Sequence, residues 1–150
     1  MEKQDYRTSI TADVTPQEAF NSINDVSKWW SQDVKGSSQN LNDIFTITFG
    51  ETWLEIKIVE LIADRKIVWH VADCYKHFLK DKKEWKDTTM TWEISTDYGI
   101  TQIGFTHFGL VPGVECYEIC EKAWDFYIKE SLFKLLAKGN GMPELIKTIQ

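Results

Sequence analysis

The sequence predicts an α+β fold in which a curved antiparallel sheet of six or seven strands wraps around one long C-terminal helix, with two short helices after the first strand. Three observations carry this. Short segments of alternating polarity follow one another between Gln32 and His107, hairpin-length connections separate them, and one amphipathic stretch, residues 114–138, closes the chain. A helix held against a concave sheet with an imperfect fit leaves a pocket between them.

The opening strand, residues 6–12, puts Tyr6, Thr8 and Ile10 on one face. A helix start follows. Thr15 is the cap, Pro16 takes the first helical position and Glu18 stands three residues after the cap, so that side chains and proline together deal with the orphan N–H groups. This helix runs to about Ile23 and buries Ala19, Phe20 and Ile23. A second short helix carries Ser27 to Ser31, with Asn24, Asp25 and Ser27 as cap candidates. Trp29 and Trp30 are adjacent on it and cannot both face one core, so Trp30 is expected to close an end of the sheet.

Six further strands are read at residues 34–37, 44–49, 53–61, 67–72, 88–96 and 100–107. Gly50-Glu51, Ala63-Asp64-Arg65 and Asp97-Tyr98-Gly99 are too short for crossovers, which makes the sheet an antiparallel meander. Glu55, Lys57, Thr89, Thr91, Glu93, Gln102 and Thr106 mark a wet face; Leu54, Ile56, Ile58, Met90, Trp92, Ile94, Ile103 and Phe105 mark a covered one. Residues 73–87, with Lys76, Lys80, Lys82, Lys83 and Lys86, read as a charged mobile loop over the rim, outside the core.

At 100° per residue the last helix turns Cys116, Tyr117, Cys120, Trp124, Tyr127, Ile128, Ser131 and Leu135 toward the sheet. Glu115, Glu118, Lys122, Asp125 and Lys129 face away, and Gly139 followed by Pro143 marks the end. Ile119, Phe126 and Phe133 form a second apolar stripe off the main face, in need of cover from the first helix, from loops or from another subunit.

With 150 residues, one domain over residues 1–150 is expected, large enough to bury a core without disulfides or a structural metal. Seven Trp, five Tyr and eight Phe require a large enclosure. A net charge of -6 repels phosphate backbones and anionic membranes, so neither nucleic acid nor membrane is an expected partner. The first residues lack the apolar core of a signal peptide, and no segment is long and apolar enough to span a bilayer; a cytoplasmic protein is expected. Cys74, Cys116 and Cys120 make an odd count without framework spacing, as for reduced thiols.

The order of these features resembles the START-like, helix-grip superfamily, also called SRPBCC, and within it the Hsp-ninety ATPase activator-like family. The resemblance runs through the Thr15-Pro16-Gln17-Glu18-Ala19-Phe20 helix start, Trp29-Trp30, Arg65-Lys66-Ile67-Val68-Trp69, Thr101 to Phe105 leading into His107-Phe108-Gly109-Leu110, and the terminal helix ending at Gly139. It implies a sheet gripping the C-terminal helix around a cavity for apolar small molecules. Small-ligand binders, aromatic polyketide cyclases, lipid carriers and a co-chaperone domain share this likeness, so it selects no activity.

The inward residues expected to line such a cavity are Trp30, Phe45, Ile47, Ile56, Trp69, Trp92, Phe105, His107, Tyr117, Cys120, Trp124 and Tyr127, although aromatic residues at such positions can equally fill the space. Hydroxyls on the same face, at Thr8, Thr101, Tyr117, Tyr127 and Ser131, favour a site that holds water or a ligand's polar groups. His107 reads either as a polar anchor or acid/base group, or as a buried histidine satisfied by one hydrogen bond. His70, Cys74 and His77 look metal-like, but His70 falls on the wet parity and the Cys116/Cys120 pair faces the core, so no metal is expected. No glycine-rich phosphate loop, triad ordering or paired carboxylates occur, and neither cofactor nor catalytic set is assigned.

Three functions follow as expectations. The first is binding of an apolar or aromatic small molecule. The second is a cyclase- or isomerase-like enzyme using His107, with Tyr117 or Tyr127 polarising a carbonyl. The third is a chaperone-related interaction module, or a homodimer, built on the Ile119/Phe126/Phe133 stripe.

Overall fold

Seven antiparallel strands form one curved sheet in the computed structural model, which describes residues 4–143. The chain runs β1 (Tyr6–Ala12), α1 (Pro16–Asn24), α2 (Val26–Trp29), β2 (Val34–Gly36), β3 (Ile44–Phe49), β4 (Thr52–Ile62), β5 (Lys66–Tyr75), β6 (Thr89–Asp97) and β7 (Ile100–Phe108). The C-terminal helix consists of α3 (Tyr117–Asp125), a π-helical stretch (Phe126–Leu132) and α4 (Phe133–Lys138). Sheet order is β1-β7-β6-β5-β4-β3-β2, so β2 to β7 form the meander and β1 returns to the free edge of β7.

Local chemistry explains the connections. Thr15 Oγ1 accepts the Glu18 backbone N–H at 3.0 Å, which starts α1 where the cap pattern placed it. Tyr98 and Gly99 both take positive φ, 51° and 81°, the two-residue turn whose twist matches a hairpin, and Asp97 pairs with Ile100 across it. Gly139 ends α4 at φ 85°, a left-handed cap. The alternating inward residues of β3 to β7 and the helix seam merge into one hydrophobic cluster.

Four expectations are corrected. Trp29 and Trp30 are both buried and share one core: α2 ends at Trp29, the backbone turns at Trp30, and the rings stack at 5.6 Å. The rim loop begins later, because β5 continues to Tyr75, and it is not outside the core, since Lys76, Leu79 and Trp85 are buried. The terminal helix starts at Tyr117 and widens at its centre into a π-helical stretch, which buries Leu132 beside the expected Tyr127, Ile128 and Ser131. Cys116 and Cys120 are joined as a disulfide across one helical turn, where reduced thiols were expected; Cys74 is a free buried thiol. No helix among the described residues is long and apolar enough to cross a membrane. The expectation about the first residues concerns positions 1–3 in part, and these lie outside the described residues.

Candidate functional site

Aromatic rings fill most of the space between helix and sheet. Trp30 stacks on Trp69 at 5.6 Å and lies 5.1 Å from Trp124, while Trp124 meets Phe105 at 4.6 Å. Trp69 and Trp92 meet edge to face at 5.6 Å, as do Phe45 and Trp69 at 5.5 Å. Six of the residues expected to line a cavity, Phe45, Ile47, Ile56, Trp69, Trp92 and Phe105, are buried members of this packed cluster. The indole N–H groups of Trp69 and Trp92 have no partner within it.

The packing between helix and sheet is not complete. Under α3, where Cys120 and Ala123 put small side chains beside Trp124 and Tyr127, a cavity of about 20 Å³ remains. Its other walls are Trp30, Phe49, Thr52, Leu54, Lys76 and Trp85. That volume suits about one water, for which ~10–15 Å³ suffices. Four expected residues therefore line it, namely Trp30, Cys120, Trp124 and Tyr127. Six more were missed. Phe49 and Leu54 sit on the inward parity and could have been found from alternation alone; Lys76 and Trp85 could not, lying in a stretch whose composition reads as solvated.

Lys76 is 6% exposed. Its ammonium sits 3.8 Å from the Trp85 ring centre and 5.2 Å from that of Phe78, and among the described residues no carboxylate lies within ion-pair distance. Burial pushes its pKa down to about 8, against the opposing influence of Cys74 and Glu84. Thr52 Oγ1 accepts the His77 backbone N–H at 3.1 Å, and the Trp85 indole N–H has no partner among the described residues.

His107 is fully buried but outside the cavity lining. Trp124 Nε1 can only donate, so at 3.1 Å it fixes His107 Nδ1 as acceptor and puts the imidazole hydrogen on Nε2. Nε2–H then donates to Thr88 Oγ1 at 2.9 Å, and Thr88 donates to the Trp85 carbonyl at 2.7 Å. Burial, then the Lys76 charge, push its pKa down to about 3. The ring is neutral with both nitrogens engaged, an arrangement for holding β7 to the helix rather than for moving a proton.

Tyr117 is displaced as well. It lies partly exposed at the helix start, and its hydroxyl donates to Glu121 Oε2 at 3.0 Å along the same helix. The buried Ser131 hydroxyl donates to the Trp29 carbonyl and accepts the Met142 N–H, both at 2.7 Å, and Thr101 donates to the Val14 carbonyl. These hydroxyls pair with backbone, not with a site. His70, Cys74 and His77 do not converge: His70 faces Asp87 at 3.1 Å, His77 faces Glu51 at 2.8 Å, and Cys74 points at the Lys82 carbonyl.

The cavity roof is tied to the helix by two carboxylates. Glu84 accepts the backbone N–H groups of Glu115 and Cys116 at 2.8 and 2.9 Å, serving donors at the start of α3. Glu115 in turn accepts from Lys80 and Asp81, and these bonds hold its carboxyl below the usual carboxylate range.

No protein-family model matches the sequence, and no curated protein matches it. Solved structures do match the fold. The Aha1 dimer from Colwellia psychrerythraea is 19% identical with a TM-score of 0.74, over 94% of this chain and 100% of that one. DynU16, from the dynemicin biosynthetic locus, is 12% identical with a TM-score of 0.69 over 93% of this chain, which spans 49% of DynU16. CalU16 from Micromonospora echinospora is 12% identical with a TM-score of 0.63, over 85% of this chain and 73% of that one. At TM-scores of 0.63 to 0.74 these structures share the fold of this chain, a curved antiparallel sheet gripping a C-terminal helix, and the chain therefore has the helix-grip fold.

Proposed function

We propose that this chain binds a small apolar or aromatic molecule in the cavity between the C-terminal helix and the sheet. The observation that carries the reading is the interruption of an otherwise filled aromatic interior where Cys120 and Ala123 leave the helix seam short of volume. Trp30, Phe49, Trp85, Trp124 and Tyr127 offer flat apolar walls there. The cavity of about 20 Å³ is the seed of the site; a larger guest enters by displacing the turn-built connection between β5 and β6, which carries Lys76 and Trp85.

Titrating a panel of naphthalene- and anthracene-type compounds against tryptophan fluorescence and thermal stability tests this. Saturable binding that disappears in Ala123→Phe, a variant that fills the cavity from the helix side, is the expected result. A panel without saturable binding would sink the reading.

A second reading is self-association through the helix stripe. Ile119 and Phe133 are 39% and 40% exposed, while Phe126 is half-buried against Tyr127. That the Aha1 of Colwellia psychrerythraea forms a dimer supports it. Light scattering on the wild type and on Ile119→Asp/Phe133→Asp tests it; a wild-type monomer at all concentrations rules it out.

A further inference from the structure

Donors outnumber acceptors among the polar groups at the cavity. Lys76 Nζ lies over the faces of Trp85 and Phe78, the Thr52 hydroxyl accepts the His77 N–H and has a hydrogen to give, and the Trp85 indole N–H has no acceptor among the described residues. No Asp or Glu contributes to the wall. A charged amine under cover normally recruits a carboxylate, because solvation lost on burial is otherwise uncompensated. Glu84, the acidic group near Lys76, is instead spent on the two backbone donors at the start of α3.

We propose that the site selects an anionic guest: the carboxylate of an aromatic acid pairs with Lys76 Nζ, with Thr52 Oγ1–H as a second donor, while the ring system lies against the tryptophans. This rests on the cavity reading above and adds the charge of the ligand to it. Aromatic walls alone would accept neutral and charged rings alike. A cation in the same wall without a carboxylate in salt-bridge contact favours the anion and rejects cations.

Calorimetric titration of the intact protein with 2-naphthoate and with its neutral amide, 2-naphthamide, separates the two ideas. At pH 7 the wild type should prefer the naphthoate by about tenfold or more, and Lys76→Met should bind both compounds alike. A pH series on the unmodified protein gives the same information without a variant: the preference should fade above about pH 8, where Lys76 loses its proton. The titratable groups facing the amine are Cys74 on β5, Glu84 in the connection and His107 on β7. Burial raises the Cys74 thiol's pKa and keeps it neutral, and His107 is already neutral, so Lys76 dominates that window. Equal wild-type affinities, a preference that persists in Lys76→Met, or one unchanged up to pH 10 overturn the anion assignment and leave the cavity reading standing. If neither compound binds saturably, both ideas fall together.

Discussion

His107 and Lys76 are two buried basic groups on neighbouring walls of the same interior, and they are treated in opposite ways. Around His107 every polar atom is matched: indole to Nδ1, Nε2 to hydroxyl, hydroxyl to carbonyl. Around Lys76 there are ring faces, an unpaired indole N–H and, acting at longer range, Cys74 and Glu84. A satisfied buried network rigidifies, whereas an unsatisfied one costs stability and persists where a partner from outside completes it. The histidine that looked reactive belongs to the first kind, and the lysine that looked solvated belongs to the second.

The sharpest way to break the contrast is His107→Ala. It removes a buried ring and orphans the Trp124 indole and the Thr88 hydroxyl, so a loss on the order of 3 kcal/mol in chemical denaturation is expected. The pH dependence follows from the depressed pKa. Unfolded chains take up a proton near the ordinary value of 6.5 and the native state near 3, so stability is full above about 6.5 and falls as pH drops toward 3. His107→Ala should remove that part of the acid limb; an unchanged limb would refute the neutral assignment.

Lys76→Met tests the other side. The native amine titrates near 8 rather than 10.5, so the unfolded chain holds more protons between these values and wild-type stability rises with pH across that range. Replacing the buried cation by a similar apolar chain should therefore stabilise the protein at pH 7, by roughly 1–3 kcal/mol, with the gain shrinking above about pH 8. A destabilised variant would mean that the rings compensate the charge already.

A smaller effect is expected at the clasp. Glu84→Ala leaves the Glu115 and Cys116 backbone N–H groups without acceptors and should cost about 1 kcal/mol, as a lost helix cap does. It should also accelerate amide exchange in the first turn of α3 relative to the π-helical stretch. Smallest of all, Ile119→Asp/Phe133→Asp should leave monomer stability within about 0.5 kcal/mol, since both residues are largely exposed, and act only on association state.

Much of the fold was legible in the sequence, because alternation in β3 to β7 and the cap at Thr15 are local signals with one geometric solution. The helix end at Gly139 was legible for the same reason. The widened turn at 126–132 was not, since an apolar seam at Trp124, Tyr127, Ser131 and Leu135 suits a regular helix equally well. The site was half legible. Trp30, Cys120, Trp124 and Tyr127 follow from facing and size, but Lys76 and Trp85 stand among Lys80, Lys82, Lys83 and Lys86, where composition argues for solvent and only tertiary packing shows which side chain turns inward. Tyr117 was misplaced because the helix begins three residues later than its apolar pattern suggests, which leaves it at the frayed edge of the seam.

The clasp between the β5–β6 connection and the start of α3 has a kinetic corollary. Any guest that lifts the roof must first strip Glu84 from two amide hydrogens, so admission to the interior and unwinding of the helix tip are one event rather than two. The rate of entry should then be set by the protein's own breathing, and should saturate with ligand concentration instead of climbing without limit.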